Sequence, residues 1–124
     1  MKESLNELAK KFHQFQIDAG FTDSNIVQRL MLVHSEISEA FEAYRKDKYA
    51  DIDGFNADNK GQFGSYFKEA FEDNIKDSLE DEIADAIIRL LAFCGENNID
   101  IERHVELKHR YNQLRGFKYG GKKF

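Results

Sequence analysis

Two pairs of carboxylates carry the chemistry this sequence could support. Glu36 and Glu39 sit three residues apart inside one apolar stretch, and Glu82 and Asp85 repeat that spacing inside another. If both stretches are helical, each pair projects from a single flank of its helix. Glu36 and Glu39 then occupy a stripe between the directions of Leu32 and Ala43, where half-burial is expected. A carboxylate left unpaired there costs several kcal/mol or takes up a proton, so a metal ion or a basic partner is needed. Antiparallel packing of the two helices would bring all four groups to one point, as hard oxygen donors of the kind Mg²⁺ or Mn²⁺ prefers. Four negative charges balance two divalent ions, and such ions can hold a polyphosphate and acidify a water for attack on phosphorus. Glu69 with Glu72 and Asp77 with Glu80 share the spacing but not the long helices whose apolar faces must meet.

A second group is cationic. Lys108, Asn112 and Arg115 fall at i, i+4 and i+7 and make one ridge, which leads into the basic, glycine-rich tail 116–124. That ridge has the makings of a phosphate clamp, although most tails of this kind are simply solvated.

The elements that must position these groups are helices. The chain has 124 residues, 41% of them hydrophobic and 33% charged, with no Pro and 8 Gly, which favours one all-α domain with a single core. A first helix is expected over 4–19, with Ser4 and Glu7 spaced as a capping box and Gly20 as its stop. Leu5, Leu8, Phe12 and Phe15 form its apolar stripe, and His13 reads as a surface histidine. A second helix is expected over 24–48, capped by Thr22, Asp23 or Ser24, with Ile26, Leu30, Val33, Ile37, Ala40, Phe41 and Tyr44 as its core face. The central helix, 78–96, is apolar over more than half its circumference through Leu79, Ile83, Ile87, Leu90, Leu91 and Cys94, extended by Ala84 and Ile88. Asp100 caps a last helix, 101–114.

Between 47 and 74 the periodicity fails. Asp51 to Gly54, Asn56 to Asn59 and Gly61 to Gly64 read as turn chemistry, followed by a short helix over 65–72, so the segment is expected to be a flexible connector or lid. Asp51, Asp53, Asp58 and Asn59 do not match the spacing of a calcium loop. Phe55, Phe63, Tyr66, Phe67 and Phe71 are placed to fold back on the core or on a neighbouring subunit.

The formal charge of −5 argues against a nucleic-acid polymer as partner but admits a small polyphosphate bridged by metal ions. A single cysteine, Cys94, forms no internal disulfide, which suits a core residue in a reducing cytoplasm. The first residues lack an apolar export segment, and Asp85 and Arg89 interrupt the most hydrophobic stretch, so neither export nor a membrane span is expected. The apolar circumference of the central helix exceeds what a four-helix monomer of this size can cover, so at least a dimer is expected.

The run Ser35 to Glu42, with its Glu-x-x-Glu, then Leu79 to Leu91, with its Glu-x-x-Asp, then Gly95 to Asp100 and Lys108-x-x-x-Asn112-x-x-Arg115, resembles the MazG-like all-α nucleoside triphosphate pyrophosphohydrolases. The likeness covers roughly residues 24–119, and the motifs are more specific in this order than singly. It implies a four-helix bundle-like fold working as a homodimer or homotetramer. It also implies Mg²⁺ dependence and cleavage of an NTP or dNTP between its α and β phosphates, to the monophosphate and pyrophosphate, as in nucleotide-pool house-cleaning. By position, the resemblance makes Glu36, Glu39, Glu82 and Asp85 metal ligands and catalytic groups, and Lys108, Asn112, Arg115 and Tyr119 triphosphate contacts. The gap from Glu39 to Glu82 is longer than is usual in that family. It leaves the metal site intact, since loop length costs little, but it leaves the base pocket open, with Phe12, Phe15 or the connector as its candidate walls. Two other classes compete. A di-iron carboxylate bundle would use Glu106 and His109 as a Glu-x-x-His motif, but it needs two such motifs. A non-enzymatic helical interaction module would use the acidic pairs only to engage basic partners.

Overall fold

The computed structural model describes residues 2–22, 25–60 and 65–124. Among these the chain is all-α, with seven helical segments and no strand: α1 (Leu5–Asp18), α2 (Ile26–Arg45), α3 (Ile52–Asn59), α4 (Ser65–Asn74), α5 (Leu79–Glu96), α6 (Ile101–Gln113) and the single turn α7 (Lys118–Gly121). No helix of the described residues is long and apolar enough to cross a membrane. The chain divides into two compact units, one of Met1–Thr22 with Leu91–Phe124, the other Asp23–Leu90.

In the first unit, Leu8 and Ala9 of α1 and Leu91 and Cys94 of α5 are buried together, with Leu5, Phe12, Ile99 and Ile101 packed against them. Each large apolar side chain so buried contributes about 1.5–3 kcal/mol over its exposed state. Burial also raises the pKa of the Cys94 thiol, which suits an inert core residue. The start of α1 follows the expected cap: Ser4 Oγ accepts from the Glu7 N–H at 3.1 Å. Glu7 turns its own carboxylate to the Ser4 hydroxyl, 3.3 Å away. The first turns of α1 and α6 satisfy one another's free N–H groups. Glu102 accepts from the Leu5 N–H, and Asn6 accepts from the Glu102 N–H while donating to Asp100 at 2.8 Å.

Gly95 is held by close approach. A Cβ built on it would run into the carbonyl oxygen of Ala9, a backbone atom with no rotamer to escape into. Gly95→Ala is therefore expected to destabilise the protein by about 1–3 kcal/mol, exceeding the gain of up to about 1 kcal/mol in helix propensity. A lower midpoint in urea with an unchanged slope is the outcome that checks this.

In the second unit, α2 starts later than expected. Its cap is Asn25, whose side chain accepts from the Gln28 N–H at 3.0 Å while Gln28 accepts from the Asn25 N–H at 2.9 Å, a complete capping box. The expected caps Asp23 and Ser24 lie outside the described residues. The segment 47–74 departs most from expectation, because most of it is helical. Asp51 caps α3 by accepting from the Gly54 N–H at 2.9 Å, and α4 runs back beside it. Asn74 donates to Asp58 at 2.9 Å, and the Asp51 N–H donates to the Asn74 carbonyl at 2.9 Å. Gly54 lies close to Asn74 and Asp51, since a Cβ there would displace the side-chain oxygens of both. The Phe55 and Phe67 rings are perpendicular with centres 5.5 Å apart, and Phe67 and Phe71 lie nearly parallel with centres 6.3 Å apart. The expected turn at Gly61 to Gly64, with Phe63, lies outside the described residues.

Candidate metal centre

Residues 79–90 of α5 run beside α2 in the second unit. The Leu79 N–H donates to the Lys48 carbonyl at 2.8 Å, the Ala50 N–H donates to Glu80 at 3.1 Å, and Ser78 Oγ accepts from the Asp81 N–H at 3.1 Å. Farther along, Arg89 Nε donates to Glu36 Oε1 at 3.0 Å. Glu39, one turn beyond Glu36 on α2, interacts with Glu82, nearly two turns before Arg89 on α5. The two helices are therefore antiparallel there, and Ala40, Ala43 and Ala86, all buried, put little bulk in the way.

This packing gathers the four expected carboxylates. One oxygen each from Glu36, Glu82 and Asp85 lies within 4.8 Å of the others. Glu36 and Glu82 are 6% and 7% exposed, whereas Glu39 and Asp85 open to solvent. The half-burial expected of the α2 pair is thus divided unevenly, with Glu36 inside and Glu39 outside.

The electrostatics are unfavourable without a cation. Burial, then hydrogen bonding to Glu36 and Glu39 and their negative charge, pushes Glu82 up to about 8. Asp85 is also raised, by partial burial first and by the Glu36 carboxylate second, with the Arg89 guanidinium pulling the other way. Arg89 supplies one positive charge for four carboxylates. Glu36 Oε1 takes that guanidinium, but Oε2 is buried and meets no N–H or hydroxyl donor. A proton kept on a neighbouring carboxylate, or a cation, would satisfy it. All-oxygen donors with excess negative charge and an unsatisfied buried oxygen fit Mg²⁺ or Mn²⁺.

The carboxylates form one side of an open pocket of about 670 Å³, whose other lining residues are Phe67, Lys68, Phe71 and Glu72 of α4, Lys76, Asp77 and Asp81 before and in the first turn of α5, and Ala84 and Ile88. The connector is among the walls expected from sequence, but the residues of α4 that line the pocket are not. Their signal was the i, i+4 pair Phe67 and Phe71 in a segment that reads as a connector. Asp77, Asp81 and Glu82 also bring three oxygens within 4.8 Å of one another. Asp81 is occupied there in holding the turn, accepting from the Asp77 N–H at 2.9 Å.

The cationic ridge lies in the first unit. Lys108 Nζ stands 5.1 Å from the centre of the Tyr111 ring and the Arg115 guanidinium 5.6 Å from it, so both gather on an aromatic that the spacing did not single out. Asn112, between them, is half-buried, and the side chain of Tyr119 lies outside the described residues. Phe12 packs on the core and Phe15 is exposed. Glu106 pairs with Arg103 at 3.4 Å, and neither it nor His109 belongs to a metal-competent group among the described residues. His13, expected at the surface, is half-buried, with Nδ1 lacking a hydrogen-bond partner. Comparison of the chain with protein-family models, with curated proteins and with solved structures finds no match.

Proposed function

We propose that the chain is a Mg²⁺-dependent nucleoside triphosphate pyrophosphohydrolase of the MazG-like all-α kind. The observation that carries this reading is the convergence of Glu36, Glu82 and Asp85, with Glu39 against Glu82 and a buried Glu36 oxygen that a cation would satisfy. In the reaction, water adds to the α phosphorus and the bridging oxygen to the β phosphorus leaves with pyrophosphate. Bound Mg²⁺ supplies charge neutralisation on the phosphates and acidifies the attacking water. Arg89 fixes the orientation of Glu36, so that one oxygen is committed to the guanidinium and the other to the site. Glu39 and Asp85, at the open side, are available to accept the proton that the water loses. Lys108, Asn112, Arg115 and Tyr119 are proposed triphosphate contacts on the strength of the sequence resemblance.

A homodimer or homotetramer belongs to the same proposal. Ile37, Phe41 and Tyr44 of α2 and Ile83, Ile87 and Leu90 of α5 are exposed, a stripe that a second copy would cover. The same stripe favours a second reading, a non-enzymatic helical interaction module, but that reading leaves the buried carboxylates without a purpose.

The deciding experiment is a pyrophosphate-release screen across ribo- and deoxyribonucleoside triphosphates with Mg²⁺ and with EDTA. Monophosphate and pyrophosphate are the expected products, lost on chelation. Orthophosphate with a diphosphate would mean attack at the γ position and would sink the assignment, and no metal-dependent turnover of any nucleotide would leave the interaction module standing.

A further inference from the structure

We infer that Phe67, held by Phe55 and Phe71, is the platform on which the base of the nucleotide stacks, and that the site selects among bases by stacking area rather than by reading their edges. This rests on the pyrophosphohydrolase reading and extends it to the substrate's other end. Phe67 is 44% exposed although it stands in the pocket beside the carboxylates, so a large apolar ring is left facing the space where a ligand would lie. Its orientation is fixed from two sides. The Phe55 ring stands at 86° to it with centres 5.5 Å apart, and the Phe71 ring lies nearly parallel at 15° with its centre offset to 6.3 Å.

The support beneath it is tied down as well. Asn74 at the end of α4 is bonded to Asp58 and, through its carbonyl, to the Asp51 N–H, and Gly54 of α3 lets Asn74 come close. A rigid, half-exposed aromatic in a cavity of nucleotide size suits a flat π-surface, and the acidic wall opposite suits the metal-bound phosphates of the same molecule.

The chemistry of the lining carries the second half of the inference. Among the described lining residues the polar groups are carboxylates and the ammonium groups of Lys68 and Lys76, with no amide or hydroxyl to pair with a base edge. Discrimination by hydrogen bonding reaches large factors only where buried polar groups would be left unpaired by the wrong ligand. Stacking accepts any base and favours the larger, so purines should bind more tightly than pyrimidines by a modest factor.

The test is calorimetric titration of the Mg²⁺-loaded protein with non-hydrolysable α,β-methylene analogues of ATP and CTP and with inorganic tripolyphosphate. The wild type should bind the adenine analogue about 10-fold or more tightly than tripolyphosphate, with the cytosine analogue between them. Phe67→Leu keeps apolar bulk without a ring face. It should lose most of that advantage while leaving tripolyphosphate affinity unchanged, and Phe67→Tyr should keep it. Circular dichroism and the thermal midpoint report whether each variant is folded. Equal binding of nucleotide and tripolyphosphate by the wild type would overturn the inference, as would a folded Phe67→Leu that retains the preference. Either result would leave the pyrophosphohydrolase reading intact, whereas a wild type that binds none of the three would remove both.

Discussion

Replacing Glu39 by Gln or Asp85 by Asn is expected to reduce Mg²⁺-dependent pyrophosphate release by more than about 100-fold, beyond the roughly 10- to 100-fold lost when a group that merely supports a ligand is removed. Stability should move the other way. Each substitution removes a negative charge from a crowded set of carboxylates whose repulsion Arg89 only partly opposes, so the metal-free protein should be as stable as the wild type or more so. Glu36→Gln should differ in kind. Its amide oxygen can still accept from Arg89, but charge pairing with the guanidinium is lost, so both activity and metal-free stability should fall. The stability loss is limited because Arg89 is a third exposed and recovers hydration. Glu69→Gln is the control, an exposed carboxylate of α4 that does not line the pocket. Near wild-type turnover in Glu39→Gln would mean that the four carboxylates are a structural feature of the α2 and α5 contact and not a reaction centre.

The legible part of this site is the part set by helical periodicity. Glu36 with Glu39 and Glu82 with Asp85 belong to helices whose apolar repeats are long, so their flanks could be assigned before any contact was known. Arg89 was legible in the same way, at i+4 from Asp85 and i+7 from Glu82, but a basic residue within an apolar run reads first as an interruption. Burial was not legible. Glu36 and Glu39 look equivalent in the sequence, yet Glu36 is buried and bonded to Arg89 while Glu39 is exposed. The α3 and α4 hairpin was illegible for a different reason. Asp51, Gly54, Asn56 and Asn59 have turn propensities, and tertiary contacts override them: Asp51 becomes a cap, Gly54 admits Asn74, and Asn56 and Asn59 lie within a helix. No local pattern announces that kind of contact. The connector could therefore be named as a pocket wall, but not which of its aromatics face the carboxylates.

Without metal, the protein should lose stability as pH rises through the neutral range, and Mg²⁺ should abolish or reverse that trend. Glu82 ionises at about 8 in the folded chain against an ordinary value of 4.5. Between those values the folded protein holds a proton that the unfolded chain has released, so stability falls as pH rises and the loss is complete above about pH 8. Asp85 is raised as well and adds to the same slope. Asp100 works in the opposite sense: its hydrogen bond from Asn6, then that from the Arg103 N–H, lowers its pKa. Its contribution is present above the ordinary aspartate value of 3.8 and is lost only in acid, outside the window that tests Glu82. Mg²⁺ binds the deprotonated carboxylates, so its binding near pH 7 should release about one proton, and its affinity should rise by up to about 10-fold per pH unit until Glu82 is fully ionised. Thermal midpoints from pH 6 to 8.5 in EDTA and in Mg²⁺ measure the first effect, and calorimetry in two buffers of different ionisation enthalpy measures the second. Glu82→Gln should flatten the metal-free profile and remove most of the proton release. A wild-type midpoint in EDTA that is flat across this range, or Mg²⁺ binding without proton release, would show that Glu82 is already ionised in the folded protein and that its burial among the other carboxylates is not what prepares the site for a cation.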